Sequence, residues 1–255
     1  MRMRDRLAAM LLFTALPLGA TQAAGLTGIN VGVGVWNQSP SGHVQSEGNR
    51  ADVEDDLRVD SDTQVFFWAD FRHPVPLIPR VKLQHTPVDL SGDGRVRNEF
   101  SFGDVTVGTD NDVRADVEFD QTDFIIYWTP WSLLADVDLG LNIKYIDGVV
   151  DVRDRTSGES DRISYSGPLP MLYGRVEVGV PGTGFYGGGE GSFLAYSGHR
   201  ILDVTLRGGY RASFGPAALG VEAGWKRQEV RLDDFDDLDA DFTLEGPYLG
   251  VSAHF

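Results

Sequence analysis

The chain has 255 residues, 42% of them hydrophobic, with 31 Gly, no Cys and 38 acidic against 22 basic side chains, for a net charge of −16. That acidity excludes nucleic acid as a partner, and the lack of Cys excludes disulfides. The first residues, 1–23, read as a secretory signal peptide: Arg2, Arg4 and Arg6, then an apolar stretch from Leu7 to Leu18, then Thr21-Gln22-Ala23 as a small-x-small cleavage site. Removing them takes away three Arg and one Asp, so the rest of the chain stands near −18. No later stretch approaches the 18 or so apolar residues of a spanning helix. An exported chain of this kind is expected to be periplasmic, secreted or a membrane barrel.

From residue 24 onward, segments of period two recur between turn signals, which is the pattern of strands. Ten are expected, at about 26–36, 63–72, 80–88, 121–128, 137–146, 169–180, 185–196, 201–212, 217–226 and 242–255. Most are about ten residues long, the length a tilted strand needs to cross a bilayer. Short connections (HPVPLIPR, TPWSLLAD, PGTG, SFGPAA) alternate with long, Asp-rich ones at about 37–62, 89–120, 147–163 and 227–241. The short SGHR at 197–200 breaks the rule. Short periplasmic turns and long outer loops are the mark of outer-membrane barrels. The fold class expected is therefore all-β, a transmembrane antiparallel barrel of about ten strands spanning 24–255, with eight or twelve as alternatives. The stretch FSFGDVTVG at 100–108 is where two more short strands would arise.

The faces of the strands separate by polarity. In the fifth, Val137, Leu139, Leu141, Ile143 and Tyr145 oppose Asp138, Gly140, Asn142 and Lys144. The apolar face is expected to meet lipid. Phe71, Trp128, Trp131, Tyr210, Phe214 and Phe255 fall near the short-turn ends, where an interfacial girdle belongs. The last strand runs to the carboxylate as Tyr248, Leu249, Val251, Ala253 and Phe255, the expected signal for the barrel-assembly machinery.

Inward positions carry seven acids and seven bases. The acids are Asp70, Asp123, Asp138, Glu177, Glu190, Asp203 and Glu222; the bases are Arg72, Lys82, Lys144, Arg175, Arg207, Arg211 and Lys226. A barrel of about ten strands is narrow, so these charges are expected to meet and pair across it. The four long connections then hold the net negative charge.

Within them, RLDDFDDLDADF brings together Asp233, Asp234, Asp236, Asp237 and Asp239. Calcium or magnesium is the candidate occupant, since hard oxygen ligands relieve like-charge repulsion, against a plain solvated acidic loop. Leu232, Phe235 and Leu238, spaced by three, suggest one short helical turn there. Asp89, Ser91, Asp93 and Gly94 match the opening of an EF-hand loop, but Phe100 stands at the twelfth position, so a simple turn is expected. His199 and His43 have no acidic partner by spacing, no Asp-x-His or His-x-Ser pattern occurs, and His85 lies on an apolar face. The chain is accordingly not expected to be an enzyme.

The motifs FRHPVPLIPRVKL, LGLNIKYIDG, PMLYGRVEV, GEGSF and LDDFDDLDADFTLEGPYLG resemble a family of proteobacterial outer-membrane β-barrel proteins. The likeness rests most on His73-Pro74-Val75-Pro76, Pro170-Met171-Leu172-Tyr173 and Gly246-Pro247-Tyr248. It implies location in the outer membrane of a Gram-negative bacterium, and brings no substrate, reaction or catalytic residue. The expected function is a closed structural or surface-interaction barrel whose acidic loops attract cations. The alternative is a narrow cation-preferring channel for small solutes or ions. Expected partners are outer-membrane lipid and lipopolysaccharide, with the assembly machinery and periplasmic chaperones during biogenesis.

Overall fold

The computed structural model describes residues 28–255 apart from 47, 48, 76, 104, 236 and 237, and leaves aside the side chains of 44–46, 49–50, 100, 232–235 and 238–240. The signal-peptide stretch 1–23 lies outside the described residues. Thirteen strands follow one another: β1 (Gly28–Ser46), β2 (Asn49–Asp52), β3 (Asp62–Arg72), β4 (Arg80–Arg95), β5 (Phe100–Phe102), β6 (Val105–Val107), β7 (Asp112–Ser132), β8 (Asp136–Asp154), β9 (Ser160–Gly179), β10 (Phe185–Tyr196), β11 (His199–Phe214), β12 (Ala217–Phe235) and β13 (Leu238–His254).

Ten of these make an antiparallel ladder in the order β1-β3-β4-β7-β8-β9-β10-β11-β12-β13, and β13 pairs back onto β1 from Asn30↔His254 to Ser46↔Leu238. The sheet is thus a closed barrel of ten strands. Closure matters in lipid because every backbone polar group there must find a partner within the protein. Among the described residues no helix is long and apolar enough to cross a membrane, which says nothing of a barrel that crosses with strands. β5 and β6 form a separate hairpin, so FSFGDVTVG adds no strand to the wall.

Period-two side chains set the outer surface. Leu139, Leu172, Leu206, Leu219, Leu249 and Val251 are all more than half exposed, as a lipid-facing band requires. Phe71, Trp128, Trp131, Tyr210, Phe214 and Phe255 are exposed at the end that carries the short turns. Leu77 and Leu134, at 89% and 88% exposure, cap two of those turns. In β13 Leu249 and Val251 face outward and Tyr248 is buried in the lumen, while Phe255, just past the strand, is exposed.

Most of the long Asp-rich connections prove to be strand rather than loop. β4 runs on to Arg95, β8 to Asp154 and β12 to Phe235, with ladder partners along these extensions. Asp89, Ser91 and Asp93 are therefore in β4, paired with β7, and the expected turn is absent. The backbone of 232–235 is in β12 and that of 238–240 in β13, with Phe235↔Leu238 the outermost pair, so the short helical turn expected there is replaced by a hairpin. The physical reason is shared. Beyond the membrane a strand needs no apolar outer face, so polar composition hides it, while the inner face still alternates: Val88 and Leu90, Val113 and Ala115, and Val152 are all buried.

Those inner-face residues form an apolar core in the outer half of the barrel with Trp36, Phe66, Leu244 and Tyr248. The segment between β2 and β3 contributes Val53, Leu57 and Val59, and the β5–β6 hairpin contributes Phe102, Val105 and Val107. Gly92 and Gly94 let that segment dock. A Cβ at Gly94 would sit 1.9 Å from the Asp56 carbonyl oxygen, and one at Gly92 2.5 Å from that of Leu57.

Candidate functional site

Below the apolar core the lumen is filled by charge. Arg175 on β9 reaches Asp138 at 2.7 Å and Asp70 at 3.4 Å, and Asp70 also accepts from Arg72 at 3.0 Å and from the Tyr127 hydroxyl at 2.6 Å. Glu177 takes Arg211 at 2.8 Å and Arg207 at 3.3 Å. Arg207 also meets Glu190 at 3.2 Å, which holds Lys82 at 2.6 Å and accepts from Tyr173 at 2.8 Å. Nearer the apolar core, Lys144 binds Asp123 at 3.0 Å and Asp203 at 3.2 Å. Asn142, Gln121 and Gln228 complete that layer with hydrogen bonds to Asp123, Lys144 and Asp203.

Period-two alternation is what brings these groups together, since residues two apart on one strand share the lumen face. Asp138 and Lys144 come from β8, Arg175 and Glu177 from β9, Arg207 and Arg211 from β11, each fixed by ladder pairing. Buried charges of this kind stand only when paired and hydrogen-bonded.

Twelve of the fourteen inward charges read from the sequence form these ion pairs. The other two, Glu222 and Lys226 on β12, are held by aromatic residues. Glu222 accepts hydroxyl hydrogen bonds from Tyr186 at 2.8 Å and Tyr248 at 3.0 Å. The Lys226 ammonium lies 4.6 Å from the Phe66 ring centre, 5.6 Å from Trp36 and 5.8 Å from Tyr248, an arrangement of stacked cation–π contacts. Among the described residues no carboxylate lies within ion-pair distance of Lys226. The expectation of charge-to-charge pairing fails at these two positions because aromatic rings occupy the neighbouring inward positions. Tyr127, Tyr186 and Trp36 are lumen residues that the charge count passes over, although each sits at an inward position of its strand, Tyr127 four residues after Asp123.

Two cavities along the charge network measure about 20 Å³ each, room for a single water. A third, of about 720 Å³, lies at the outer end against β3, β4, β7 and β8.

The remaining candidates disperse. Asp236, Asp237 and the side chains of Asp233, Asp234 and Asp239 lie outside what the structure describes. Among the described residues no group of three or more His, Asp or Glu is placed to hold a metal ion. Asp93, one of the EF-hand-like residues, is taken by Arg155 at 2.6 Å and Arg114 at 3.2 Å. His85 stacks on Phe67 at 5.1 Å, bonds Thr122 Oγ1 at 3.0 Å and lies 3.7 Å from Asp120. At the outer end of β8, burial pushes the Asp154 carboxyl up, but hydrogen bonds from Asn111 and the backbone N–H groups of Ser157 and Thr156 outweigh it and hold it below the usual aspartate range.

No family model and no curated protein matches the chain. Among solved structures it is similar to the outer-membrane protease OmpT from Escherichia coli, with a TM-score of 0.52 and 10% identity over 92% of this chain and 100% of that one. It is more loosely similar to Ail, the attachment invasion locus protein of Yersinia pestis, with a TM-score of 0.37 and 10% identity over 91% of this chain and 100% of that one. A FadL homologue of Pseudomonas aeruginosa gives 0.36 and 10% over 90% of each chain. The chain has the fold of an outer-membrane β-barrel protein.

Proposed function

We propose that this outer-membrane β-barrel protein is a closed, non-conducting barrel that serves as a surface-interaction protein. The observation that carries the reading is the filled lumen, with ion pairs in its inner half and an apolar core in its outer half. A pore needs a continuous water path, and here it would have to break buried charge pairs. The apolar core in the outer half supports the same reading, because it seals the mouth above the charges. The exposed apolar band suits outer-membrane lipid, with lipopolysaccharide around the outer rim. An interaction role is favoured by the lumen, whose charges are spent on one another.

Planar-bilayer conductance of the refolded, heat-modifiable protein tests this. Silence is expected from folded protein. Discrete cation-selective steps would overturn it and make a narrow channel the function.

A further inference from the structure

The short turns at the inner end of the barrel differ in kind. Those at 181–184 and 215–216 carry only Pro, Gly and Thr. The connection after β3 instead carries Val75, Leu77 and Ile78, and the one after β7 carries Leu133 and Leu134, with exposures from 47% at Val75 to 89% at Leu77. These two connections are neighbours, because β4 pairs with β7. The indole N–H of Trp128 donates to the Leu77 carbonyl at 3.4 Å. Trp128 stands on the outward face of β7, one place past the inward-facing Tyr127. The turn after β3 therefore leans over the lipid-facing wall and not across the lumen.

From this geometry we propose that the two connections form an apolar lip inserted into the inner leaflet of the outer membrane. Its partner is phospholipid, met at the boundary of headgroups and acyl chains. One side of the barrel is anchored there, while the turn between β11 and β12, diametrically opposite in the ten-strand order, stands in periplasmic water.

Continuity with the lipid-facing band names the occupant. Phe71, Trp128 and Trp131 of the aromatic girdle lead without a break into the exposed Val and Leu side chains of the lip. Charge fits as well. Neither 73–80 nor 129–135 holds an acid, and Arg80 supplies one positive charge, the sign that suits lipid phosphate. Asp136, the next carboxylate, accepts from the Ser132 hydroxyl.

The backbone of the first turn is prepared for a dry setting. Lipid penalises bare polar groups. Pro74, Pro76 and Pro79 bring no N–H. The carbonyls of His73, Leu77 and Pro79 accept from Arg80 Nε at 3.4 Å, Trp128 Nε1 and His73 Nε2 at 3.0 Å. Water would serve these groups equally well; acyl chains would not.

The chain has no Cys, so Leu77→Cys, Leu134→Cys and Pro216→Cys each place a single environment-sensitive fluorophore on the full refolded protein. Lipid nanodiscs leave both faces open to solvent, and heat-modifiability confirms each fold. Labels at 77 and 134 are expected to emit at shorter wavelength than the label at 216. A nitroxide on the phospholipid acyl chain should quench the first two. Aqueous iodide should quench them about tenfold less than the label at 216, since an ion is excluded from hydrocarbon. Equal iodide quenching at all three positions would overturn the lip. Shielding from iodide without quenching by the lipid nitroxide would overturn it in favour of cover by a second copy of the chain. The outcome is independent of conductance, so this inference and the closed-barrel reading can fail separately.

Discussion

The inner and outer halves of this barrel solve one problem by opposite means. Both must fill the space inside a closed ten-stranded wall. The inner half fills it with ion pairs centred on Arg175, Glu190 and Lys144. The outer half fills it with Trp36, Leu90, Val107, Val113 and Leu244, as an ordinary soluble core does. The difference teaches that the lumen of a narrow barrel is not polar by necessity. Where the outer face meets lipid, the strands are already apolar outside, and a polar interior keeps the alternation clear. Where the strands rise into water, the polar face can turn outward and the core reverts to apolar. Lys226 marks the boundary, a cation whose neighbours are aromatic rings of the outer core.

Three substitutions sharpen that contrast. The largest effect is expected for Arg175→Ala, which strands Asp70 and Asp138 in the lumen. A loss of about 4 kcal/mol is expected, read from the urea unfolding midpoint in lipid or detergent. A variant as stable as the parent would mean that the inner half is wet and its charges solvated. Leu90→Ala probes the outer half, where the side chain is 1% exposed. It should cost about 3 kcal/mol by the same measurement, the sum of lost transfer energy and cavity. A loss near zero would show that the outer core collapses without strain.

The smallest effect is expected at the rim. The Asp154 carboxyl is held below its usual range by Asn111, Ser157 and Thr156, so it binds protons less readily folded than unfolded. Its contribution is present above the unfolded value of roughly 4 and is lost as pH falls through the lower folded value. Asp154→Asn should therefore cost about 1 kcal/mol at neutral pH, and the gap from the parent should close in acid. A gap that stays constant with pH would assign the effect to packing alone.

How much of this was legible differs by region. In β8, Val137 to Tyr145 alternated with Asp138 to Lys144, and that spacing alone placed each residue on its side of the wall. The lumen charges followed from the same counting. At Asp89–Arg95 and at 227–241 the reading went astray, because Asp, Gly and Ser suggested turns while Val88, Leu90 and Val113 carried the weaker, correct signal of strand.

The sequence by itself determined the class of fold and which side chains of the membrane-crossing segments look inward, with about ten wall strands. Period two is a local property, and the bilayer tolerates no other spanning sheet than a closed one. Tertiary structure alone decided which charges meet, that Glu222 and Lys226 lie among aromatic rings, that the segment before β3 packs into the outer apolar core, and that β3 and β4 part beyond Phe67 and His85. These depend on stagger between strands far apart in the chain. Alternation says which face a residue takes, and only the closed register says how high on that face it stands.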